Sequence, residues 1–158
     1  MLSICLAVML FVADVIFAIW IIKEERKIRK EYGKCHKLEA KRIKDIPKCL
    51  RKLNKSLASK TIFHLCYALK LTQPDLIRFG FFPCGLSIAG EYRVKQNQII
   101  LSFHGLRKFD IATIVHEVAH HFSVSYHYNF KHDDQFLKDE NMVFDELKEL
   151  IRLKIVGN

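Results

Sequence analysis

The sequence predicts an α+β domain behind an N-terminal transmembrane helix. Residues 1–22 form one apolar run in which Asp14 is the only charged side chain. Further along, two short segments rich in β-branched and aromatic residues indicate strands, and segments with helical apolar spacing lie before and after them. A chain of 158 residues is long enough for one compact domain and an appendage.

The apolar run has the length and the flanks of a membrane anchor. Its 22 residues would reach about 33 Å as a helix, more than the ~30 Å of a hydrocarbon core. No Lys or Arg precedes the run, and Trp20, Ile21 and Ile22 end it, whereas a cleaved signal peptide has a basic start and a small-residue cleavage site. Basic residues follow, so the positive-inside rule places the domain in the cytoplasm. We therefore expect a single-pass membrane protein that contacts the lipid bilayer through residues 1–22.

The excess positive charge is confined to one segment. Residues 23–60 contain 15 Lys and Arg but 5 Asp and Glu, whereas residues 61–158 contain 11 of each kind. Residues 23–46 are predicted to be a basic juxtamembrane stalk, with contact to anionic lipid headgroups as the alternative. Only Tyr32 is interleaved there for base stacking, which disfavours a nucleic-acid partner. A single domain over residues 47–158 is expected to follow.

The cysteines indicate a reducing compartment. Their number is odd, and no pair has a spacing typical of metal ligands. Scattered single thiols suit such a compartment better than a disulfide framework does. The five are Cys5, Cys35, Cys49, Cys66 and Cys84.

The predicted domain places a β-hairpin between helices. Apolar residues at i, i+3, i+4 and i+7 indicate the helices, and turn residues separate the two strands. In chain order we expect a helix that begins near Asp45 and Pro47, a helix over residues 61–71, strands over residues 87–94 and 98–103, a helix over residues 111–124 capped by Asp110, and a last helix over residues 134–155 capped by Asp133 or Asp134.

The third predicted helix carries the pattern HExxH at residues 116–120. Helical residues four apart lie on one face, so His116 and His120 can direct two imidazoles at one tetrahedral Zn²⁺. Glu117 lies beside such an ion, where it can take a proton from zinc-bound water and pass it to a leaving group. The alternative is a half-exposed, histidine-rich helix that matches the pattern by chance.

A third zinc ligand is expected after this helix. His132, in the run HDDQF, is the preferred candidate, with Phe136 as an apolar anchor for the last helix. His127 would need a tight loop, and Glu140 could be a carboxylate ligand, although a solvent-facing helix charge is the preferred interpretation of Glu140. His121 is rotated by about 100° from His120 and is expected in a second shell or at the surface.

Other polar residues are expected to have supporting roles. Asp145 or Glu146 could orient a ligand histidine, and Tyr126, Tyr128 or His127 could stabilise an oxyanion. Three histidines without partner spacing are interpreted as surface or packing residues, namely His36, His64 and His104.

The segments GEY, QIILSF, TIVHEVAHHF and HDDQF, in that order, resemble the SprT-like zincin metallopeptidases and related small bacterial zinc metallopeptidases. The resemblance covers residues 85–136. It implies a minimal zincin-like domain of helices packed on a small sheet or hairpin, an edge strand at residues 98–103 that holds an extended substrate, and a glutamate that activates water. The transmembrane anchor, the short spacer before the third ligand and the lack of a C-terminal zinc ribbon depart from this group and disfavour a DNA-linked role.

These observations predict a membrane-anchored zinc metallopeptidase. His116, His120 and His132 would bind Zn²⁺, and Glu117 would assist the attack of zinc-bound water on a peptide bond of a protein or peptide substrate. Two alternatives stay open: a zinc-dependent hydrolase of a non-peptide substrate, and a non-catalytic membrane-tethered protein with a structural metal site.

Overall fold

The structure, a computed structural model, describes residues 42–80, 90–102 and 108–157 together with residues 16, 19 and 23. The chain divides into two compact units, Met1–Leu38 and Glu39–Asn158. In the first unit, residues 16, 19 and 23 are helical. All elements described below belong to the second unit.

The second unit is α+β, as predicted. Three short 3₁₀ turns accompany its helices and strands in the described residues. In chain order the elements are the turns Ile43–Asp45 and Lys48–Leu50, β1 (Lys52–Leu53), α1 (Lys55–Ala68), β2 (Leu76–Gly80), β3 (Gly90–Arg93), the turn Val94–Gln96, β4 (Gln98–Ser102), β5 (Phe109–Asp110), α2 (Ile111–His127) and α3 (Asp134–Arg152).

The predicted transmembrane helix and the single-pass membrane location derived from it are contradicted. No helix in the described part of the chain is both long and apolar enough to cross a membrane. A span needs about 20 predominantly apolar residues. The helices α1 and α2 have 14 and 17 residues, and α3, with 19, carries nine charged side chains. Of the predicted anchor over residues 1–22, only Ile16 and Ile19 lie within the described residues.

The chain just before residue 47, the predicted start of the domain, already belongs to the second unit. Ile46 is 1% exposed and belongs to the hydrophobic core. The Arg51 side chain donates to the backbone oxygens of Ile46 and Lys44 and so holds this segment in place. Most of the predicted stalk, residues 24–41, lies outside the described residues.

The predicted helix near Asp45 and Pro47 is wrong. The chain there forms a 3₁₀ turn and then β1, which pairs antiparallel with β5. The helix begins only after Asn54, whose side-chain oxygen accepts a hydrogen bond of 2.9 Å from the backbone N–H of Leu57. This N-cap satisfies a backbone donor that the first turn of a helix would otherwise leave unpaired, and so it sets the start of α1.

The main sheet has the strand order β2-β4-β3. β3 and β4 form the predicted antiparallel hairpin, with Asn97 in the left-handed conformation (φ 41°) at the turn. β2, which the sequence analysis missed, pairs parallel with β4. The expectation that residues 98–103 form an edge strand is therefore wrong, because β4 is paired on both sides. β4 is also mostly buried, which explains the continuous apolar run in QIILS.

The hydrophobic core lies among the three helices and the sheet. The apolar residues that give α2 and α3 their helical spacing are buried, except Ile151 of α3, which is partly buried. The last helix was predicted to continue to residue 155, but α3 ends at Arg152, and Ile155 beyond it is 43% exposed. The predicted cap of α3 is Asp133, which accepts from the backbone N–H groups of Gln135 and Phe136. Asp110 occupies the N-cap position of α2 without a side-chain cap bond. The buried core side chains of the two helices are Ile111, Ile114, Val115, Val118, Ala119, Phe122, Phe136, Val143, Phe144, Leu147 and Leu150.

The two cysteines of the described residues should differ in reactivity. Cys66 is buried, and burial raises the pKa of its thiol to about 12, whereas Cys49 is exposed. Because the thiolate is the nucleophile, we expect iodoacetamide at pH 8 to alkylate Cys49 in the native protein and Cys66 only after denaturation. Peptide mass mapping checks this, with Cys49→Ser as the control. Equal labelling of both thiols in the native protein would contradict the packing of α1.

Candidate metal centre

Two of the predicted ligands lie one turn apart on α2. His116 and His120 share a face of the helix, and their ring centroids are 4.8 Å apart in an edge-to-face arrangement. The spacing of four residues brings about this arrangement, because 3.6 residues complete one helical turn.

The connection between α2 and α3 brings His132 to the same place. α2 ends at Tyr128, which adopts the left-handed conformation (φ 51°). Asn129 then donates through Nδ2 to Asp133 at 2.8 Å, and Asp133 caps α3. These hydrogen bonds fix the conformation of the chain between α2 and α3. His132 Nε2 then lies 3.0 Å from His120 Nε2 and 3.1 Å from His116 Nε2.

The three imidazoles form a group that could hold a metal ion. One nitrogen of each ring lies within 4.8 Å of the others, and each residue is partly buried. Two nitrogens at ~2.0–2.1 Å from a tetrahedral ion are separated by about 3.3–3.4 Å, close to the observed 3.0–3.1 Å between the Nε2 atoms. The donor set, three imidazole nitrogens, therefore fits a metal.

The ring of Phe136 packs against all three histidines of this group. It is fully buried, and its ring centroid lies 5.2 Å from that of His116, 4.5 Å from that of His120 and 4.7 Å from that of His132. The prediction that Phe136 anchors α3 in the core is confirmed. Because it touches all three rings, it also fixes their positions relative to one another.

The environment keeps two of the histidines neutral. Burial, with a further contribution from the neighbouring imidazoles, lowers the pKa of His120 to about 3 and that of His132 to about 4. A metal-binding imidazole must be unprotonated on the nitrogen that binds. Neither histidine therefore has to lose a proton before it binds a cation near neutral pH.

Glu140 orients the His116 ring through Nδ1, the ring nitrogen that is not shared with the other histidines. Its Oε1 lies 2.9 Å from His116 Nδ1, and its Oε2 accepts from the Arg42 guanidinium, also at 2.9 Å. Since a carboxylate accepts, Nδ1 of His116 carries the proton and Nε2 presents its lone pair to the other two histidines. Glu140 is 2% exposed, so its interpretation as a solvent-facing charge is wrong, and it lies outside the group that could hold a metal ion.

The apolar periodicity of α3 could have revealed the position of Glu140. This residue is four after Phe136 and three before Val143, both of which are buried. A charged residue on the apolar face of a helix needs a partner inside the protein. That signal was present in the sequence, whereas no local spacing relates Arg42 to residues 98 positions away.

Glu117 is buried beside β3. It is 3% exposed, and a Cβ atom at Gly90, the first residue of β3, would lie 2.7 Å from Glu117 Oε1. Only glycine allows this approach of strand to helix. The catalytic candidate is therefore positioned by α2 on one side and by the backbone of β3 on the other.

His121 has a structural role. Its Nε2 donates to the backbone oxygen of Thr72 at 2.8 Å, and its Nδ1 accepts from the Tyr92 hydroxyl, also at 2.8 Å. It is 2% exposed, and burial lowers its pKa. The expectation of a second-shell or surface position is wrong: His121 connects α2 to β3 and to the chain that follows α1.

The other candidates lie elsewhere. His127 is 40% exposed and 3.3 Å from Asp139, so the structure does not bring it to the metal group. The Tyr126 hydroxyl bonds the backbone oxygens of Leu69 and Lys70, which contradicts a role as an oxyanion donor in this conformation. Of the remaining residues, Tyr128 is 81% exposed, Asp145 pairs with Lys148 at the surface, and the His64 ring meets the Phe63 ring edge to face. His36 and His104 lie outside the described residues.

Comparisons with models of protein families, with curated proteins and with solved structures find no match for this chain.

The contact between β3 and α2 can be tested at Gly90. In Gly90→Ala the added methyl group would lie 2.7 Å from Glu117 Oε1 and 2.7 Å from Thr113 Cγ2. Such overpacking should lower the free energy of unfolding by about 1–3 kcal/mol, measured by urea denaturation. Thr113→Ser removes one of the two contacts and should recover part of the loss in the double variant. An unchanged stability of Gly90→Ala would show that β3 does not approach Glu117 this closely.

Proposed function

We propose that the protein is a zinc-dependent metallopeptidase, in which His116, His120 and His132 bind zinc and Glu117 is the general base. The observation that carries this proposal is the approach of His132 Nε2 to 3.0 Å from His120 Nε2 and 3.1 Å from His116 Nε2, with the buried Glu117 on the helix that carries the latter two. The HExxH spacing accounts for three of the four residues, and the closed connection after α2 accounts for His132.

The ligand set favours zinc and a catalytic role. Three histidines are a common ligand set of catalytic zinc, whereas structural zinc has four protein ligands. In the described part of the chain, the group contains no fourth His, Cys, Asp or Glu. Three ligands leave room for a reactant at the metal, which a closed site would not.

Zinc, when bound, supplies Lewis acidity that acidifies water and polarises a carbonyl oxygen. The residues of this chain contribute the remaining functions. Glu117, next to His116 on the helix, would accept the proton of the attacking water and return it to the leaving amine. Glu140 would keep the Nε2 lone pair of His116 directed at the ligand position.

The position of β3 supports a peptide substrate. β3 is an outer strand of the sheet in the described part of the chain, and it reaches Glu117 at Gly90. An extended peptide that pairs with a sheet edge gains main-chain hydrogen bonds independently of its sequence. A peptide added along β3 would pass close to Glu117, so β3 takes the role that the resemblance implied for residues 98–103.

The role of Glu117 can be separated from metal binding. We expect Glu117→Gln to bind zinc as wild type does and to hydrolyse peptide bonds about 10²–10⁴-fold more slowly, because the amide cannot accept the proton. Full-length protein loaded with zinc is incubated with denatured casein, and the new termini are counted by mass spectrometry. Glu149→Gln, at the surface of α3, is the matched control. A wild-type rate in Glu117→Gln would remove Glu117 from its proposed role.

The third ligand can be assigned by paired substitutions. His132→Ala should reduce bound zinc from about one ion per chain to substoichiometric levels, because two histidines bind much more weakly than three. His127→Ala, which removes the histidine at the C-terminal end of α2, should keep the metal. Zinc is measured by atomic emission after dialysis. The reverse result would identify His127 as the ligand and contradict the geometry of the connection.

A further inference from the structure

Arg42 is partly buried and contacts Glu140, the partner of His116, although it is far from both in sequence. Its guanidinium lies 2.9 Å from Glu140 Oε2, and the two side chains are 13% and 2% exposed. The guanidinium carbon also lies 6.0 Å from the centroid of the Phe144 ring. Arg42 is the N-cap residue of the turn Ile43–Asp45, so it belongs to the chain that enters the second unit.

We propose that Arg42 is a positioning residue of the metal centre, which acts through Glu140 on His116 and thereby sets the affinity of the site for zinc. This inference rests on the proposed function, because it requires that the three histidines bind the metal. It adds to the site a residue that precedes position 47, where the sequence predicted the domain to begin.

The two oxygens of Glu140 have different partners. Oε1 accepts from His116 Nδ1 and Oε2 accepts from Arg42, so the carboxylate is held at both ends. With Oε2 held, rotation of the carboxylate away from His116 would break a charged hydrogen bond in a buried environment. The orientation of the His116 ring therefore depends on Arg42, although the carboxylate of Glu140 lies between the two residues.

The segment that carries Arg42 is itself fixed. Ile46 is buried in the core, and Arg51 donates to the backbone oxygens of Ile46 and Lys44. Arg51 holds the same segment but contacts only backbone oxygens there. It therefore offers a matched control: Arg51→Gln should loosen the segment without removing a partner of Glu140.

The experiment measures the zinc dissociation constant of the full-length protein by competition with a chromophoric chelator. We expect Arg42→Gln to weaken zinc binding about 10–100-fold, the range typical of residues that orient a metal ligand, and Arg42→Lys to restore part of the loss. Arg152→Gln breaks a surface ion pair with Glu149 on α3, the helix that carries Glu140, and should bind zinc as wild type does. Arg51→Gln should lose less affinity for zinc than Arg42→Gln does.

A double-mutant cycle shows whether Arg42 acts through Glu140. The double variant Arg42→Gln/Glu140→Gln should bind zinc as weakly as Glu140→Gln alone, since the guanidinium then has no carboxylate to hold. The ¹⁵N shifts of His116 provide a readout that a merely structural role would not move: we expect the Nδ1–H tautomer in wild type and a mixture of tautomers in Arg42→Gln.

Two results would overturn the inference. Wild-type zinc affinity in Arg42→Gln would show that the guanidinium does not position the ligand. Independent losses that multiply in the double variant would show that Arg42 acts by another route than Glu140. If Arg42→Gln does not fold, Arg42→Met, which removes the donors but keeps the apolar length of the side chain, tests the same claim, and wild-type affinity there together with unchanged ¹⁵N shifts would contradict it. A wild-type protein that binds no zinc would instead refute the proposed function itself.

Discussion

The packing of α2 against α3 around Phe136 is the constraint on which the rest of the site depends. It places three imidazoles on one aromatic ring and brings Nε2 of His132 to 3.0 Å from that of His120 and 3.1 Å from that of His116. Burial lowers the pKa of His120 and His132, so these rings are neutral when they meet. Nε2 of His116 presents a lone pair because its Nδ1 donates to Glu140, and a cation between the three rings would offset part of the cost of burying them.

The same packing accounts for the position of Glu140 and Arg42, which hold His116 without belonging to the three histidines. Glu140 lies one turn after Phe136 on the apolar face of α3, where its carboxylate needs partners inside the protein. His116 and Arg42 supply them from opposite sides. A buried carboxylate between two donors contributes little net stability compared with an apolar residue of the same volume. Its value lies in orientation, because it fixes which nitrogen of His116 carries the proton.

Local sequence patterns predicted the site better than they predicted the fold. The spacing of His116 and His120 specifies one face of a helix, and His132 follows within reach, so the three were identified without the structure. The order of the strands was not accessible in this way. β2 pairs with β4 although β3 lies between them in the chain, and the pairing makes β4 central. The start of α1 was misplaced because the cap bond of Asn54 prevailed over apolar spacing that also fits a helix.

Zinc K-edge X-ray absorption of the full-length protein tests the central claim most directly, because it reports the atoms around the metal independently of any activity. The proposed site predicts about one zinc per chain with three imidazole nitrogens and one further light atom at about 2.0–2.1 Å. The multiple-scattering pattern of imidazole should fall from three rings to two in His132→Ala. A sulfur ligand at about 2.3 Å, or a spectrum that His132→Ala leaves unchanged, would contradict the site built by α2 and α3.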